Sequence, residues 1–426
     1  MEPNYQFDTS CVHGGYCAPS TEPQVPPITQ STTYRYYNTD DVAAMFDLTS
    51  ATHMYTRLSN PTVSILEEKM ATLEGGVGAA AASSGQSATM ICMLALCRSG
   101  DHILASSHLY GGTFNLVGFT FEQLGIQHSF VDPELSVEEI LQHAKPNTRV
   151  VLGETVGNPS MSVLDFEKWS RVAKELGVPF VVDNTLATPY LCKPLQHGAD
   201  IVIHSTTKYS DGHATSVGGM VIDGGSFDWA KSGNYPGLSE PDESYHGLCF
   251  TESFGEKALA IKLRAQMLRD LGCVMAPMNA WLTIQGLDTL HLRMQRHSEN
   301  AQVLAEHLSA HPKVDWINYP GLPGNRYHAL QQKYMPKGAG GFFPFAVKGG
   351  FEAGRRFIEH LQLTSLVVHI GDVRTSVLHP ASATHRQLSE ADQRAAGIDP
   401  GLIRVSVGIE DIGDIIKDFD QALEKV

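Results

Sequence analysis

The 426-residue chain has no run of eighteen apolar residues, no Lys/Arg-rich cluster and no C-x-x-C pair. The first absence argues against a membrane-spanning helix. The second, with a net charge of −15 from 31 Lys+Arg against 46 Asp+Glu, argues against nucleic acid or an anionic membrane as a partner. The seven cysteines (11, 17, 92, 97, 192, 249 and 273) are odd in number and scattered, which points to reduced thiols in a cytoplasmic protein. No H-E-x-x-H occurs, and His291 and His297, in LHLRMQRHSEN, read as solvated or hydrogen-bonding side chains, so no metal site is expected. The opening MEPNYQFDTS has neither the basic nor the apolar segment of a secretory leader, and the chain shows no internal repeat or low-complexity segment.

What is present is ordinary globular composition, 42% hydrophobic and 18% charged, in a chain long enough for two domains and an appendage. Residues 1–59 read as an extended arm, because Pro19, Pro23, Pro26 and Pro27 break helices and QSTTYRYYN has no helical period. An arm of this length is expected to pack on another surface, a neighbouring subunit included. Asn60 and Pro61 suit an N-cap and first helical position, and Val63, Leu66, Met70 and Leu73 follow at helical spacing until Gly75 and Gly76. After the small-residue stretch VGAAAASSG and an apolar helix to Leu96, strands are predicted at 102–106, 126–131, 149–154, 178–184, 200–205 and 218–223, with helical segments between the earlier ones. That alternation predicts an α/β fold with a mainly parallel sheet covered on both faces over 60–255. Beyond 255 come helices near 256–270, 275–287, 290–310 and 351–361, with strands in GGFFPFAVKGG, SLVVHIG and LIRVSVGIE. These predict a smaller α+β domain over 256–426.

Parallel sheets bind ligands at the carboxyl ends of their strands, so chemistry is sought just after them. Lys208 follows the apolar run Ile201–Ile203 among hydroxyls and glycines, a setting that desolvates an amine and eases the deprotonation that imine formation requires. A lone lysine after a strand is ordinarily a surface residue; the other strand ends reverse that reading. Asp183 closes a run of buried valines in VPFVVDNT, where an unpartnered carboxylate is costly and a protonated pyridine nitrogen would be a partner. Tyr110, in HLYGGT, is placed to stack on a flat ring. Ser83, Ser84, Gly85 and Gln86 open a helix whose N–H groups suit a phosphate, which Ser205 and Thr207 would join. Acid, stacking ring, phosphate cradle and lysine are together the requirements of pyridoxal 5′-phosphate. Separately, Arg404 shares a strand face with Ser406 and Gly408, opposite Ile403, Val405, Val407 and Ile409, so its guanidinium can meet a carboxylate. Arg374, in GDVRTS, is a second candidate.

The chain resembles the fold-type I pyridoxal-phosphate enzymes of cysteine and methionine metabolism, and within them most the O-acetylhomoserine sulfhydrylases. The likeness runs nearly its whole length, through YTRLSNPT, LEGGVGA, SSGQSA, LYGGTF, GNPS, VVDNTLATPYLCKPLQHGADIVIHSTTK, HPASATH and IRVSVGIE. The resemblance implies a large domain with a mainly parallel seven-stranded sheet, a smaller C-terminal α+β domain and an N-terminal arm. It implies Lys208 as the cofactor-bearing lysine, Asp183 as the partner of the pyridine nitrogen, and Tyr110 as the stacking ring with acid/base duty. Ser84, Gly85, Gln86, Ser205 and Thr207 would hold the phosphate, and Tyr55 and Arg57 would reach it from a neighbouring subunit, usually within a homotetramer. Asn158 and Arg404 would bind the substrate carboxylate, with Tyr55, Asn158 and His369 lining the substrate side.

The reaction so implied is γ-replacement on O-acetyl-L-homoserine by sulfide or a thiol. The alternatives are a methionine or cystathionine γ-lyase, a cystathionine γ-synthase and, more remotely, a non-catalytic phosphate-binding protein, which the absence of G-x-x-x-x-G-K-[ST] disfavours. Two local departures favour the sulfhydrylase: Gly112 stands where methionine γ-lyases usually carry cysteine, and the segment 226–248, SFDWAKSGNYPGLSEPDESYHGL, is long, with aromatics and acids expected to cover the site. His369, where the family commonly has Ser or Asn, cuts the other way and would narrow or re-aim the substrate pocket.

Overall fold

The structure, a computed structural model, describes residues 5–50, 52–383 and 399–426. Thr384 and His385 of HPASATH lie outside the described residues.

The arm is not wholly extended, contrary to its proline content. Short helices form at Phe7–His13 (α1) and Thr39–Phe46 (α2), on either side of the proline cluster. Asn38 caps α2 by accepting from Asp41 N at 2.8 Å. Cys11 on α1 is fully buried in the main core, so the first part of the arm belongs to the globule. The proline segment between them is pinned: Trp281 Nε1 donates to the Pro26 carbonyl at 3.0 Å and Thr62 Oγ1 to the Pro27 carbonyl at 2.8 Å.

The first long helix, Pro61–Glu74 (α3), has the expected ends. Asn60 Oδ1 accepts from Thr62 N and Val63 N, Pro61 occupies the first position, and Gly75 closes it with φ 85°, a conformation that favours glycine. Asn60 also donates to Thr29 O, Tyr34 Oη and Thr56 Oγ1, so one buried amide caps the helix and grips the arm.

Seven strands build the large sheet: Gly78–Ala82 (β1), His102–Ser106 (β2), Gln127–Val131 (β3), Thr148–Glu154 (β4), Phe180–Asp183 (β5), Ile201–His204 (β6) and Gly219–Asp223 (β7). Their order is β1-β7-β6-β5-β4-β2-β3, with β7 antiparallel to both neighbours and the other pairings parallel. The alanine run of β1 lacks the β-branched residues that mark a strand; it pairs because both its faces are covered. Successive residues serve opposite cores. Val182 and Val202 pack with α3 and with Phe166–Leu176 (α5, after Gly85–Leu96, α4), whereas Val181 and Ile203 pack with α4.

Residues 258–271 are helical and also pack on this sheet, as Pro277–Asp288 (α6) packs on α3. Leu290–Ser309 (α7) then leads to a second sheet of Val314–Ile317 (β8), Phe342–Val347 (β9), Ser365–Leu366 (β10), Ser376–Leu378 (β11) and Leu402–Ser406 (β12), ordered β10-β11-β12-β9-β8. Helices Gly350–His360 (α8) and Ile412–Leu423 (α9) cover it through Phe357 and Phe419, whose rings meet at 5.3 Å. SLVVHIG contributes only two strand residues, and the β12 strand stops at Ser406, leaving Ile409 exposed rather than on the buried face with Ile403, Val405 and Val407.

The 226–248 segment corrects its sequence reading. Trp229, Tyr235, Leu238 and Tyr245 are sequestered in the α4-side core instead of overlying the strand ends. Tyr235 Oη donates to Arg149 O at 2.6 Å and Ser226 Oγ to Asp200 at 2.6 Å. Both partners stand at the amino ends of strands, so the segment is anchored on the edge of the sheet opposite Lys208.

Because Asn60 serves helix and arm together, Asn60→Ala is expected to cost about 2 kcal/mol, the upper end for an N-cap, read as a lower denaturant midpoint with unchanged slope.

Candidate active site

Lys208 sits four residues past β6 on a turn fixed from below. Tyr209 is fully buried; its carbonyl accepts from Arg293 Nη1 at 2.8 Å and its ring meets His297 edge-on at 5.1 Å. His297, read from sequence as solvated or hydrogen-bonding, is fully buried and donates from Nδ1 to the Val407 carbonyl at 2.7 Å, tying the turn to the end of β12. Asp211 closes the turn by accepting from Thr215 N and Oγ1 and from Ser216 Oγ. The amine itself is half-buried. Burial first, and then the Arg404 cation, lower its pKa to about 8.

The residues expected to hold a phosphate gather at the start of α4 and the end of β6. Ser84 caps α4 by accepting from Ser87 N at 3.0 Å, and Gly85 and Gln86 form the first turn, where backbone N–H groups have no partner within the helix. Gly85 lies against Ser205: a β-carbon there would sit 2.6 Å from Ser205 Cβ and 3.0 Å from its Oγ. Ser205 N is held by Thr185 Oγ1 at 2.8 Å. Thr207 Oγ1 exchanges hydrogen bonds with Gly218, at 3.2 Å to its carbonyl and 3.1 Å from its amide.

At the end of β5, Asp183 Oδ1 accepts from Thr185 N at 2.9 Å. Burial raises its pKa, opposed by that hydrogen bond. In register beside it at the end of β4 is Glu154, which sequence reasoning missed. Burial, and then Asp183, push Glu154 well above the usual carboxylate range, so Asp183 is the acid of the pair left to carry charge. The signal was available: Glu154 ends the apolar run RVVLGE just as Asp183 ends FVVD. Glu154 also accepts from Tyr110 N at 2.6 Å, placing the start of the loop that presents the half-exposed Tyr110 ring. Thr185 and Arg293 were likewise not foreseen; nothing in their local sequence marks them.

Arg404, on β12, brings the second sheet to the site. Its Nη1 lies 3.5 Å from Asn158 Oδ1, and its guanidinium lies over the Phe342 ring at 5.8 Å. Burial lowers the Arg404 pKa, opposed by Tyr110. Arg374 is already engaged by Asp372, from Nε at 3.1 Å and Nη2 at 2.9 Å. His369 borders Lys208: burial and then the Lys208 charge lower its pKa. Tyr55 and Arg57 make their contacts elsewhere in the chain. Tyr55 bridges to Thr33, and Arg57 lies 5.4 Å from the Tyr55 ring centroid and donates to the Arg269 carbonyl.

These residues fit a phosphorylated pyridine aldehyde. Ser84, Gly85, Gln86, Ser205 and Thr207 offer amides and hydroxyls for the phosphate, Gly85 lets Ser205 approach the helix start as a side chain would not, Asp183 offers a carboxylate for the ring nitrogen, and Lys208 an amine disposed to lose its proton. The lowered Lys208 value has a direct readout. In cofactor-free protein, amine acylation at Lys208 is expected to reach half its limiting rate near pH 8, against about 10.4 for exposed lysines. Arg404→Leu should move that midpoint upward, with peptide mass spectrometry reporting both.

The match to the family described as Cys/Met metabolism PLP-dependent enzyme spans residues 8–424. O-acetyl-L-homoserine sulfhydrylase of Leptospira meyeri is 47% identical, covering 100% of this chain and 98% of that protein. Homocysteine synthase of Schizosaccharomyces pombe is 43% identical over 98% of both. A Campylobacter jejuni crystal structure assigned as an O-acetylhomoserine (thiol)-lyase, holding N′-pyridoxyl-lysine-5′-monophosphate, superposes with a TM-score of 0.94 at 36% identity, covering 99% of this chain and 100% of that one. With its fold, its strand-end lysine and a family match over almost every residue, this chain belongs to the Cys/Met metabolism PLP-dependent enzymes.

Proposed function

We propose that the protein catalyses γ-replacement on O-acetyl-L-homoserine, with sulfide or a small thiol as nucleophile. The observation that carries the reading is the full-length similarity to sulfhydrylases from several organisms, at 42–47% identity, together with a site in which Lys208, Asp183 and Arg404 converge. The γ-carbon–oxygen bond breaks, acetate leaves with the bonding pair, and a carbon–sulfur bond forms to give homocysteine from sulfide. Pyridoxal phosphate supplies, when bound, an electron sink for charge developed next to the substrate amine. Arg404, one of whose five donors meets Asn158, turns the others to the substrate carboxylate. Lys208 takes and returns protons at the substrate carbons, since its amine is part-neutral near physiological pH. Tyr110 covers the ring and stands close enough to Arg404 for the two to interact electrostatically.

Gly112 supports the sulfhydrylase over the lyase. A β-carbon there would lie 2.5 Å from the Tyr110 ring and 2.7 Å from Gln86 Nε2, so a side chain at 112 would displace both. We further propose an active-site dimer, paired into a tetramer, in which Tyr55 and Arg57 complete the neighbour's phosphate site; their position on the arm, with contacts to Thr33 and the Arg269 carbonyl, supports this. Seven unpaired cysteines suit the reducing cytoplasm.

Supplied with O-acetyl-L-homoserine and sulfide, the protein is expected to release homocysteine and acetate in equal amounts, and with L-methionine or L-cystathionine alone to give little 2-oxobutyrate. The reverse pattern would establish a γ-lyase instead. Lys208→Ala should lower turnover at least about a thousandfold, and borohydride should fix the chromophore of the wild-type enzyme on the Lys208 peptide.

Refolding Arg57→Ala together with Lys208→Ala, each inactive alone, should restore part of the activity. Mixed dimers that form without recovering activity would refute the shared site.

A further inference from the structure

The LEGG sequence that ends α3 contains a group the proposed reaction does not use. Glu74 is the last residue of the helix and is fully buried. That is an unfavourable place for an acid: burial disfavours its charge, and the helix C-terminus presents partial negative charge. Its two glycines fix the position. Gly75 has φ 85°, and a β-carbon at Gly76 would lie 2.4 Å from Ile222 Cγ2 and 2.7 Å from Asp223 O, so the chain leaves the helix pressed onto β7.

Among the described residues, the hydrogen-bond partners of Glu74 come from strand ends at the active site, and Cys192 and Lys193 lie within electrostatic reach of it. Oε1 lies 2.6 Å from His204 Nε2, a pair 1% and 0% exposed, and 2.8 Å from Asn184 Nδ2. Asn184 in turn accepts from Thr155 Oγ1 at 2.8 Å through its Oδ1. Thr155, Asn184 and His204 are the sequence neighbours of Glu154, Asp183 and Ser205. Because adjacent residues along a strand face opposite sides, each of these strand ends turns one residue toward the cofactor side and its neighbour toward Glu74. The backbones are joined as well: Thr155 N donates to Asp183 O, and Asn184 N to Ile203 O, both at 2.9 Å.

We propose that Glu74 is a positioning residue for the cofactor's ring nitrogen: from the opposite face of the sheet it clamps His204 and Asn184 directly, and Thr155 through Asn184, and thereby holds Asp183 in place. The inference rests on Asp183 facing the ring nitrogen and is independent of the acyl substrate. It also gives a physical reason for keeping a buried acid where apolar packing would serve stability as well.

The test is cofactor affinity rather than turnover. Cofactor-free Glu74→Gln, with far-UV circular dichroism as the check on folding, is titrated with pyridoxal 5′-phosphate and with its 1-deaza analogue, in which carbon replaces the ring nitrogen. Glu74→Gln is expected to weaken pyridoxal phosphate binding about tenfold, the scale on which outer partners of a site act, while leaving the deaza analogue within about twofold. Thr155→Val, which cuts one link of the clamp without touching a buried charge, should give a smaller loss of the same selectivity and serves if Glu74→Gln does not fold. Asp183→Asn is the reference. If it shows the selective loss and the clamp variants do not, or if they lose both ligands equally, Glu74 has only a structural role and the proposal fails. If Asp183→Asn shows no selectivity, the ring-nitrogen assignment and the proposal fall together.

Discussion

Parallel pairing in register is the constraint on which the site depends. Glu154 pairs with Asp183, and Asp183 with Ile203, so β4, β5 and β6 end level with one another. Their next residues must therefore emerge together at one edge. Ser84 and Tyr110 reach the same edge after β1 and β2, because those strands point the same way. The hydrogen-bonded ladder thus brings acid, ring, hydroxyls and lysine, spread over more than a hundred residues of chain, to one edge of the sheet. Arg404 comes from the second sheet, and His369 from the segment between two of its strands.

The price of such a site is electrostatic strain, visible at each of its ionisable members. Lys208 and Arg404 are both desolvated, and the Arg404 charge disfavours that of Lys208; Asp183 and Glu154 are both buried, and Asp183 disfavours the charge of Glu154. A substrate carboxylate would relieve the first of these conflicts and an aromatic cation the second. The protein therefore gains stability from ligands in proportion to how poorly its empty charges are satisfied.

Much of this was legible locally. A charged residue that ends an apolar run is conspicuous, which is how Lys208 and Asp183 stood out, and alternation on one strand marked Arg404. The same rule applied to Glu154 and went unused. Other features leave no local trace. Glu74 lies in LEEKMATLEGG, a stretch that looks like a solvated charged helix end, and its burial comes from β5 and β6, more than a hundred residues onward. His297 looks solvated among arginines and glutamates, yet helical period turns it to Tyr209. The alanines of β1 read as filler until both faces are seen covered. The aromatics of 226–248 suggested a cover because their number is visible in sequence, whereas the side of the sheet they join is not.

The amide of Asn60 has a consequence for assembly. It holds the arm at Thr29, Tyr34 and Thr56 from within the same chain, so the segment bearing Tyr55 and Arg57 is shaped before any second subunit arrives. Were a second subunit to dock there, few new torsions would be ordered, because the entropy that a floppy arm would forfeit on association is already lost in folding. On the shared-site reading, two half-built pockets meet as rigid bodies, and the affinity between subunits becomes sensitive to a helix cap that need not touch the interface.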